Sequence, residues 1–304
     1  MIDINIHNES SELEIVVLGI PDEFGGAPKL EECYDPKSKQ HVVNGTFPLQ
    51  KDISKEMNEF LEALEKYNVK VLRPKNIEGL NQVFARDISF AIEDKLIVPN
   101  IIEDRKKELE AISHIYSDIN EDKIIRMPEN ARAEGGDVMP WNNYIFVGYS
   151  EKEDFDKYKV ARTNTGGVNF LKDHFQDKEI KSFELNKSDT DPKENALHLD
   201  CCFQPIGTES AIMYKGGFKN EEDIDFLVNL FSEENIIFIT KEEMYNMNSN
   251  VFSISEKVIV SEKGFTRLND NLRKRGFVVE EIQYSETAKM EGLLRCSTMP
   301  LKRK

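Results

Sequence analysis

The sequence predicts a globular α/β protein, and two patterns lead to this prediction. Short apolar runs typical of strands alternate with longer segments in which apolar residues recur at helical spacing. Some neighbouring runs, such as 88–93 and 95–99, are separated by only one or two residues. Such short connections require antiparallel hairpins and disfavour a purely parallel, doubly wound sheet. One domain over residues 1–304 is the simplest organisation.

The predicted elements follow one another along the whole chain. The strand-like runs cover 13–20, 69–74, 88–93, 95–99, 143–149, 235–240 and 256–261. The first long helix is predicted over 52–68, because it opens on Asp52 and repeats apolar residues at Met57, Phe60 and Leu64. Further helical patterns cover 103–116, 221–232 and 264–276.

Composition excludes several functional classes. The chain has 39% hydrophobic residues, so it can bury a core, and 40 basic against 56 acidic residues give a net charge of −16. That charge repels phosphate backbones, so nucleic acid is not an expected partner. No apolar run reaches the roughly 18 to 20 residues of a membrane span, and the first residues do not resemble a secretory signal. No glycine-rich phosphate loop follows a strand, which disfavours nucleotide chemistry.

The cysteine pattern indicates free thiols in a reducing cytoplasm. No CxxC pair is present, and four cysteines are too few for a disulfide scaffold. They are Cys33, Cys201, Cys202 and Cys296. Cys201 and Cys202 are expected to be small buried thiols, because adjacent residues of a strand point to opposite faces.

Two acidic segments stand out in apolar surroundings. Asp87, in Phe84–Phe90, is costly to bury unless a cation meets it, and either an internal arginine or a ligand could supply that cation. In Glu134-Gly135-Gly136-Asp137, two glycines allow a sharp turn and a close approach by another group, so both acids could point into one cavity. The alternative for this segment is a solvated turn.

A histidine and a cysteine complete the candidate site. In Leu197–Phe203, strand alternation would place His198 and Asp200 on one face, although a hydrogen-bonded structural histidine is the alternative. Cys296 follows Arg295 in a tail that is less apolar than most buried thiol sites. Alone it would be interpreted as structural, but with His198 it could form a nucleophilic pair.

The order of these motifs resembles that of the guanidino-group-modifying enzymes. FARD, EGGDV, RTN (162–164), LHLD and LLRCSTMPL follow one another as in arginine deiminases, dimethylarginine dimethylaminohydrolases and amidinotransferases. The stretch VVLGIPDEFGGAP is also similar to the first strand and loop of that superfamily. The resemblance implies a five-module α/β propeller, the pentein fold, with pseudo-fivefold symmetry and a central active site.

The resemblance also implies a role for each candidate residue. Cys296 would be the nucleophile, His198 the general acid and base, and Glu134 the carboxylate that supports the histidine. Asp87 and Asp200 would hold the guanidinium of a small-molecule substrate. The expected reaction is cysteine-dependent hydrolysis of a C–N bond in arginine or an arginine derivative, through a covalent amidino intermediate, with no metal or organic cofactor.

Two other functions stay open at this stage. EGGD and the arginine of RTN, Arg162, favour the hydrolases, in which that arginine commonly meets a substrate carboxylate. The stretches LHLDCC and 163–171 are also similar to amidinotransferases, which pass the amidino group to an amine acceptor. A silent guanidino-binding protein is the second alternative, and a homodimer is a possible assembly.

Three further segments carry smaller expectations. The acidic stretch 151–161 is unlike the hydrolases and is expected to be surface rather than a mobile lid. Residues 247–252 are expected either to place an asparagine beside the active site or to lead from a helix into a strand. Trp141 is expected to be a packing residue.

Overall fold

Five small sheets of the same design make up the fold. The computed structural model describes all 304 residues. Each sheet has three strands, and its middle strand pairs antiparallel with one neighbour and parallel with the other. In four sheets a hairpin makes the antiparallel pair, and in the fifth that pair joins the first and last strands of the chain. In every sheet the parallel strand arrives after a crossover connection. The prediction of an α/β fold with five modules is confirmed.

The fifteen strands are β1 (Leu13–Leu18), β2 (Lys70–Leu72), β3 (Phe90–Ile92), β4 (Lys95–Val98), β5 (Ile124–Arg126), β6 (Val138–Trp141), β7 (Tyr144–Tyr149), β8 (Glu179–Glu184), β9 (Phe203–Ile206), β10 (Ser210–Met213), β11 (Ile236–Phe238), β12 (Phe252–Ser255), β13 (Val258–Glu262), β14 (Val278–Ile282) and β15 (Thr298–Arg303). The sheets have the strand orders β15-β1-β2, β3-β4-β5, β6-β7-β8, β9-β10-β11 and β12-β13-β14. The first sheet therefore joins the two ends of the chain, because β15 pairs with β1.

The nine α-helices are α1 (Pro36–Val43), α2 (Gln50–Lys66), α3 (Glu108–Ala111), α4 (Ser113–Tyr116), α5 (Lys152–Lys157), α6 (Thr165–His174), α7 (Glu221–Phe231), α8 (Lys241–Tyr245) and α9 (Thr266–Lys274). The helices predicted over 52–68, 221–232 and 264–276 correspond to α2, α7 and α9. The helix predicted over 103–116 is instead broken into short turns. Its Arg105 and Glu108 are both buried, so this segment turns two charged side chains inward as well as its apolar ones.

Two local predictions have clear outcomes. The hairpin between β3 and β4 is present, and Glu93 makes its tight turn with a left-handed φ of 52°. The strand expected at Leu197–Phe203 is wrong except at its last residue, because residues 199–201 form a 3-10 turn and β9 begins only at Phe203. Period-two alternation over four residues also fits a single turn, so the pattern could not distinguish the two.

Apolar packing explains why the helices lie on the sheets. The apolar stripe of α2 is fully buried, and Phe60 on that stripe meets the rings of Phe252 and Tyr284 edge-on at centroid distances of 5.8 and 5.7 Å. Trp141 is buried with its ring 5.6 Å from that of Phe231, so its packing role is confirmed. No helix is both long and apolar enough to cross a membrane.

The strand ladders stop at the borders of the sheets. No named strand pairs with a strand of another sheet, so the strand ladders do not close the five sheets into a ring. Isolated backbone bridges, such as Leu185 with Phe218, join segments next to different sheets. Closure around a common axis stays a prediction from the family resemblance. Buried charges also connect different sheets.

Arg295 is the central member of this buried charge network. Its side chain is fully buried and forms ion pairs with Glu9, at 3.0 Å from Nε, and Asp200, at 2.9 Å from Nη1. It also donates to the carbonyl oxygens of Gly135, Gly136 and Val138. Burial alone would raise the pKa of Glu9, but the positive charges of Arg295 and Arg86 outweigh it and lower that pKa to about 2.

Replacing Arg295 by methionine should destabilise the whole protein. The change keeps most of the side-chain volume but leaves two buried carboxylates without their cation, which costs about 3–5 kcal/mol of unfolding free energy. Urea unfolding followed by circular dichroism measures this loss. Lys304→Met is the matched control, because it removes an exposed pair with Glu12 and should leave the unfolding midpoint near that of the parent. Equal shifts for both variants would contradict the central role of Arg295.

Candidate active site

The candidate residues occupy equivalent places in all five sheets. Each lies in the loop or turn just before the strand that pairs antiparallel with the middle strand of its sheet: Asp87 before β3, Glu134 before β6, His198 and Asp200 before β9, Asn250 before β12, and Cys296 before β15. Because the sheets share one design, the same edge of each module contributes its side chains to one region. The site is thus a product of the internal repeat, which residue identity did not reveal.

Cys296 is held by Asn250 and by Asp200. The backbone N–H of Cys296 donates to Oδ1 of Asn250 at 3.1 Å, and Nδ2 of Asn250 donates to Sγ at 3.2 Å. The thiol in turn lies 3.6 Å from Oδ2 of Asp200. The asparagine expected near the site in residues 247–252 is therefore Asn250. The alternative for that segment also has support, since it runs from α8 into β12.

The surroundings of Cys296 keep the thiol protonated. Burial raises its pKa well above the ordinary value, and the negative charges of Asp200 and Asp87 raise it further. The hydrogen bond from Asn250 acts in the opposite direction. A thiol in this setting becomes nucleophilic when a positive charge enters beside it, so the site is suited to a cationic ligand.

His198 lies between two carboxylates. Its Nε2 is 2.9 Å from Oε2 of Glu134, and its Nδ1 is 3.7 Å from Oδ1 of Asp87. Burial alone would lower the pKa of His198, but Asp87 and Glu134 outweigh it and the pKa is raised. His198 therefore keeps its second proton to a higher pH than an ordinary histidine and can act as a proton donor near neutrality.

The two glycines of the EGGD segment allow this close assembly. A Cβ on Gly136 would lie 2.6 Å from Nδ1 of His198, and one on Gly135 would lie 2.0 Å from the carbonyl oxygen of Arg86. The close approach predicted from the glycines is confirmed, and the solvated turn is wrong because the segment is buried. Asp137 accepts from the backbone N–H of Leu199, at 2.9 Å, and thereby positions the turn that carries His198.

Both aspartates expected to hold a guanidinium already face an arginine. Asp87 pairs with Nη1 of Arg105 at 2.7 Å and accepts the backbone N–H of Gly136. Asp200 pairs with Arg295 through Oδ2. Each arginine also pairs with a second buried acid, Glu108 or Glu9. The internal cation considered for Asp87 from the sequence is thus Arg105, which comes from the broken helix rather than from its own segment.

Arg162 lies next to the candidate acid–base pair. Its Nη1 is 3.1 Å from Oε2 of Glu134, and its Nη2 donates to the carbonyl oxygen of Tyr34. The positive charge of Arg162 and the hydrogen bond with His198 overcome the effect of burial and lower the pKa of Glu134. The arginine expected to meet a substrate carboxylate therefore binds the site's own glutamate in this structure. Of the segment 151–161, residues 151–159 are exposed or half-buried, as expected of a surface segment, whereas Val160 and Ala161 are buried.

Five predicted residues, together with Arg162, lie in one region, but Arg105 and Glu9 were not predicted. Cys296, His198, Glu134, Asp87 and Asp200 all lie in the region described above, and all are at most 4% exposed. Arg105 and Glu9 had no motif to mark them. A signal was present for Arg105. It lies three residues before Glu108, so the two could be expected to form an ion pair, and their segment also carries an apolar face that must be buried.

Three ligand atoms could in principle hold a cation. One atom from each of Asp87, Glu134 and His198 lies within 4.8 Å of the others. Each group already has a partner, however, since Arg105 pairs with Asp87, and Glu134 accepts from both Arg162 and His198. A metal would have to displace those contacts, so metal-independent chemistry stays our prediction.

Changing Asp200 to asparagine should affect two thiol reagents in opposite ways. Removal of the negative charge lowers the pKa of Cys296, so alkylation by neutral iodoacetamide at pH 7 should become faster. Alkylation by cationic 2-chloroacetamidine should become slower, because the carboxylate that attracts the amidinium is lost. Mass spectrometry of the labelled peptide measures both rates, with Cys296→Ser as the control for labelling position. Parallel changes in the two rates would contradict this assignment.

Changing Asn250 to alanine should move the pH profile of thiol alkylation upward. The variant loses the donor that favours the thiolate, so the pKa of Cys296 should rise and the midpoint of the iodoacetamide rate profile should rise with it. Asn246→Ala, at an exposed position of the same segment, should leave the midpoint in place. An unchanged midpoint in the Asn250 variant would remove its proposed effect on the sulfur.

Comparison with known proteins places the chain in a family. The sequence model described as "N,N dimethylarginine dimethylhydrolase, eukaryotic" matches residues 40–303. Uncharacterized protein YkgA of Bacillus subtilis is 31% identical over 242 residues, covering 79% of this chain and 77% of that protein. The N(G),N(G)-dimethylarginine dimethylaminohydrolase of Pseudomonas aeruginosa is 23% identical over 248 residues, covering 80% of this chain and 85% of that protein.

Two solved structures share the fold at low identity. The N-terminal domain of ArgZ, a cyanobacterial arginine dihydrolase, superposes with a TM-score of 0.79 at 16% identity, covering 96% of this chain and 98% of that one. The amidinotransferase SxtG of Microseira wollei gives a TM-score of 0.74 at 18% identity, covering 99% and 97%. Since the family model matches most of the chain, the protein belongs to the dimethylarginine dimethylhydrolase family within the guanidino-group-modifying enzymes.

Proposed function

We propose that residues 1–304 form one catalytic domain that hydrolyses a guanidinium C–N bond of arginine or an arginine derivative. The observation that carries the proposal is the burial of one thiol, Cys296, beside two carboxylates, with a raised-pKa histidine in the same region. A guanidinium is planar, cationic and rich in N–H donors, so it suits two carboxylates in bidentate contact. Family membership supports guanidino chemistry independently.

Binding of the substrate would activate the nucleophile. A guanidinium between Asp87 and Asp200 offsets the negative charge that raises the pKa of Cys296, so the thiol gives its proton to water and the thiolate forms. The sulfur then attacks the guanidinium carbon and gives a tetrahedral adduct. This order explains how a thiol with a raised pKa can act as a nucleophile once a cation is bound.

His198 would serve both halves of the reaction. In its protonated form it donates a proton to the departing nitrogen, and the C–N bond breaks to leave an amidino thioether on Cys296. The neutral histidine then takes a proton from water, and the hydroxide attacks the amidino carbon. The C–S bond breaks to release the thiolate and a protonated ureido product, which loses its proton to solvent. Glu134, held by Arg162, keeps the imidazole oriented and stabilises its charged form.

The stretch that favours amidino transfer has a structural explanation in this chain. Residues 163–171 contain the start of α6, where the side chain of Asn164 accepts the backbone N–H of Gly167 as a helix cap. A Cβ on Gly166 or Gly167 would lie 2.5 or 2.2 Å from a neighbouring carbonyl oxygen. These residues are therefore needed for packing whatever the acceptor, so hydrolysis remains the proposed reaction.

Product identification on a small panel tests the proposal. Arginine, methylated arginines and agmatine are each incubated with the protein, and ureido product is assayed; we expect turnover of at least one. Cys296→Ser should abolish turnover while ligand binding persists, and Cys33→Ser is the matched control that should retain activity. Ornithine released from arginine only when glycine or lysine is present would establish amidino transfer instead. Binding without any turnover would identify a silent guanidino-binding protein.

A further inference from the structure

A second cavity lies outside the catalytic residues, between the first turns of α1 and α9. Its volume is about 420 Å³, which is within the range of small-molecule pockets. Its walls come from α1, the segment after α8, the turn between β13 and α9, and the segment that leads to Cys296. None of the five proposed catalytic and guanidinium-binding residues lines it.

One wall carries a buried lysine without an acidic partner. Lys37 is 4% exposed, and no carboxylate oxygen lies within 4.0 Å of its Nζ. The ammonium donates to the carbonyl oxygen of Tyr245 at 2.5 Å and lies 4.6 Å from the centre of the Tyr245 ring. Burial lowers the pKa of Lys37 to about 8, although the nearby Glu291 opposes the shift. An ammonium has three donors, so an anion could still bind it.

Another wall carries a buried carboxylate without a cation. Glu262 is 4% exposed, takes part in no ion pair, and accepts the backbone N–H of Gly264. Burial raises the pKa of Glu262, as expected of a carboxylate that lacks a counter-charge. The other charges at the cavity, in contrast, have partners, since Arg267 pairs with Glu243 and Lys289 pairs with Glu286.

A third polar group in the cavity is also free. Asn248 is 4% exposed, and its buried Oδ1 has no hydrogen-bond partner. A buried acceptor of this kind costs free energy unless a donor meets it. The cavity therefore offers one unpaired cation, one unpaired anion and one unpaired amide oxygen.

We propose that this cavity binds a free α-amino acid as a zwitterion. The ligand's carboxylate would face Lys37, and its ammonium group would face Glu262 and Oδ1 of Asn248. A molecule with both charges satisfies all three groups, whereas a simple anion or a simple cation leaves one buried charge unpaired.

The position of the cavity connects it to the thiol. Asn248 lies two residues before Asn250, which bonds both the backbone and the sulfur of Cys296. Between them, Ser249 donates to the carbonyl oxygen of Asp200 at 2.9 Å. Leu293, which also lines the cavity, lies three residues before Cys296. An amino acid bound here therefore contacts the segments that hold the nucleophile, and its binding does not depend on which reaction the site performs.

Isothermal titration calorimetry on the full chain tests the proposal. Glycine, alanine, lysine and glutamate are the probes, and acetate and methylamine are the controls with one charge each. We expect at least one amino acid to bind, and Lys37→Gln and Glu262→Gln each to weaken it by about tenfold or more. Lys289→Gln, at a paired charge of the same cavity, and Asp87→Asn, in the candidate active site, should leave the affinity unchanged.

A third variant separates lost binding from lost structure. Asn248→Leu removes the free acceptor without changing either charge, and it should also weaken binding of the amino acid. Circular dichroism checks the fold of every variant. The proposal is overturned if no amino acid binds, if acetate binds as tightly as glycine, or if the folded Lys37 and Glu262 variants bind like the parent. Loss of binding in Asp87→Asn alone would assign the ligand to the candidate active site and overturn it as well.

Discussion

The ion pairs of Arg295 with Glu9 and Asp200 are the interaction on which the rest of the structure depends. They connect the N-terminal segment, the loop before β9 and the tail before β15 through buried side chains. The same arginine binds carbonyl oxygens of the EGGD turn. Because Asp200 also touches the sulfur of Cys296, one buried cation sets both the packing of the centre and the charge felt by the thiol.

The internal repeat explains why chemistry collects at one place. Each module is a small sheet that cannot cover its own edge. The loop before its outer antiparallel strand places one or two polar side chains in the candidate active site. Burial makes every such group costly unless a neighbour neutralises it. The acids of the site are accordingly paired with Arg105, Arg162 and Arg295. The proposed cationic substrate would therefore have to displace these contacts or bind beside them.

Local signals predicted the strand hairpins and singled out the candidate acids and the histidine, whereas their grouping with Cys296 was expected from the family resemblance. Short connections require hairpins, and acids or histidine in apolar surroundings stand out against the general pattern. The partners of those residues could not be predicted, since Glu9 and Arg295 are 286 positions apart and no local rule joins them. His198 and Asp200 show the limit of periodicity. Their spacing of two residues fits one face of a strand, but it also fits the 3-10 turn that forms. The cavity around Lys37 had no local signal at all.

The pairing of β1 with β15 has a consequence for how the protein folds. It joins residues 13–18 to residues 298–303, a separation that gives the first sheet a high contact order and a late place in folding. Cys296 lies just before β15, so its final position depends on this late pairing. The carboxylates and the histidine belong to sheets built from neighbouring segments, so we expect the thiol to enter a region whose other walls have already formed.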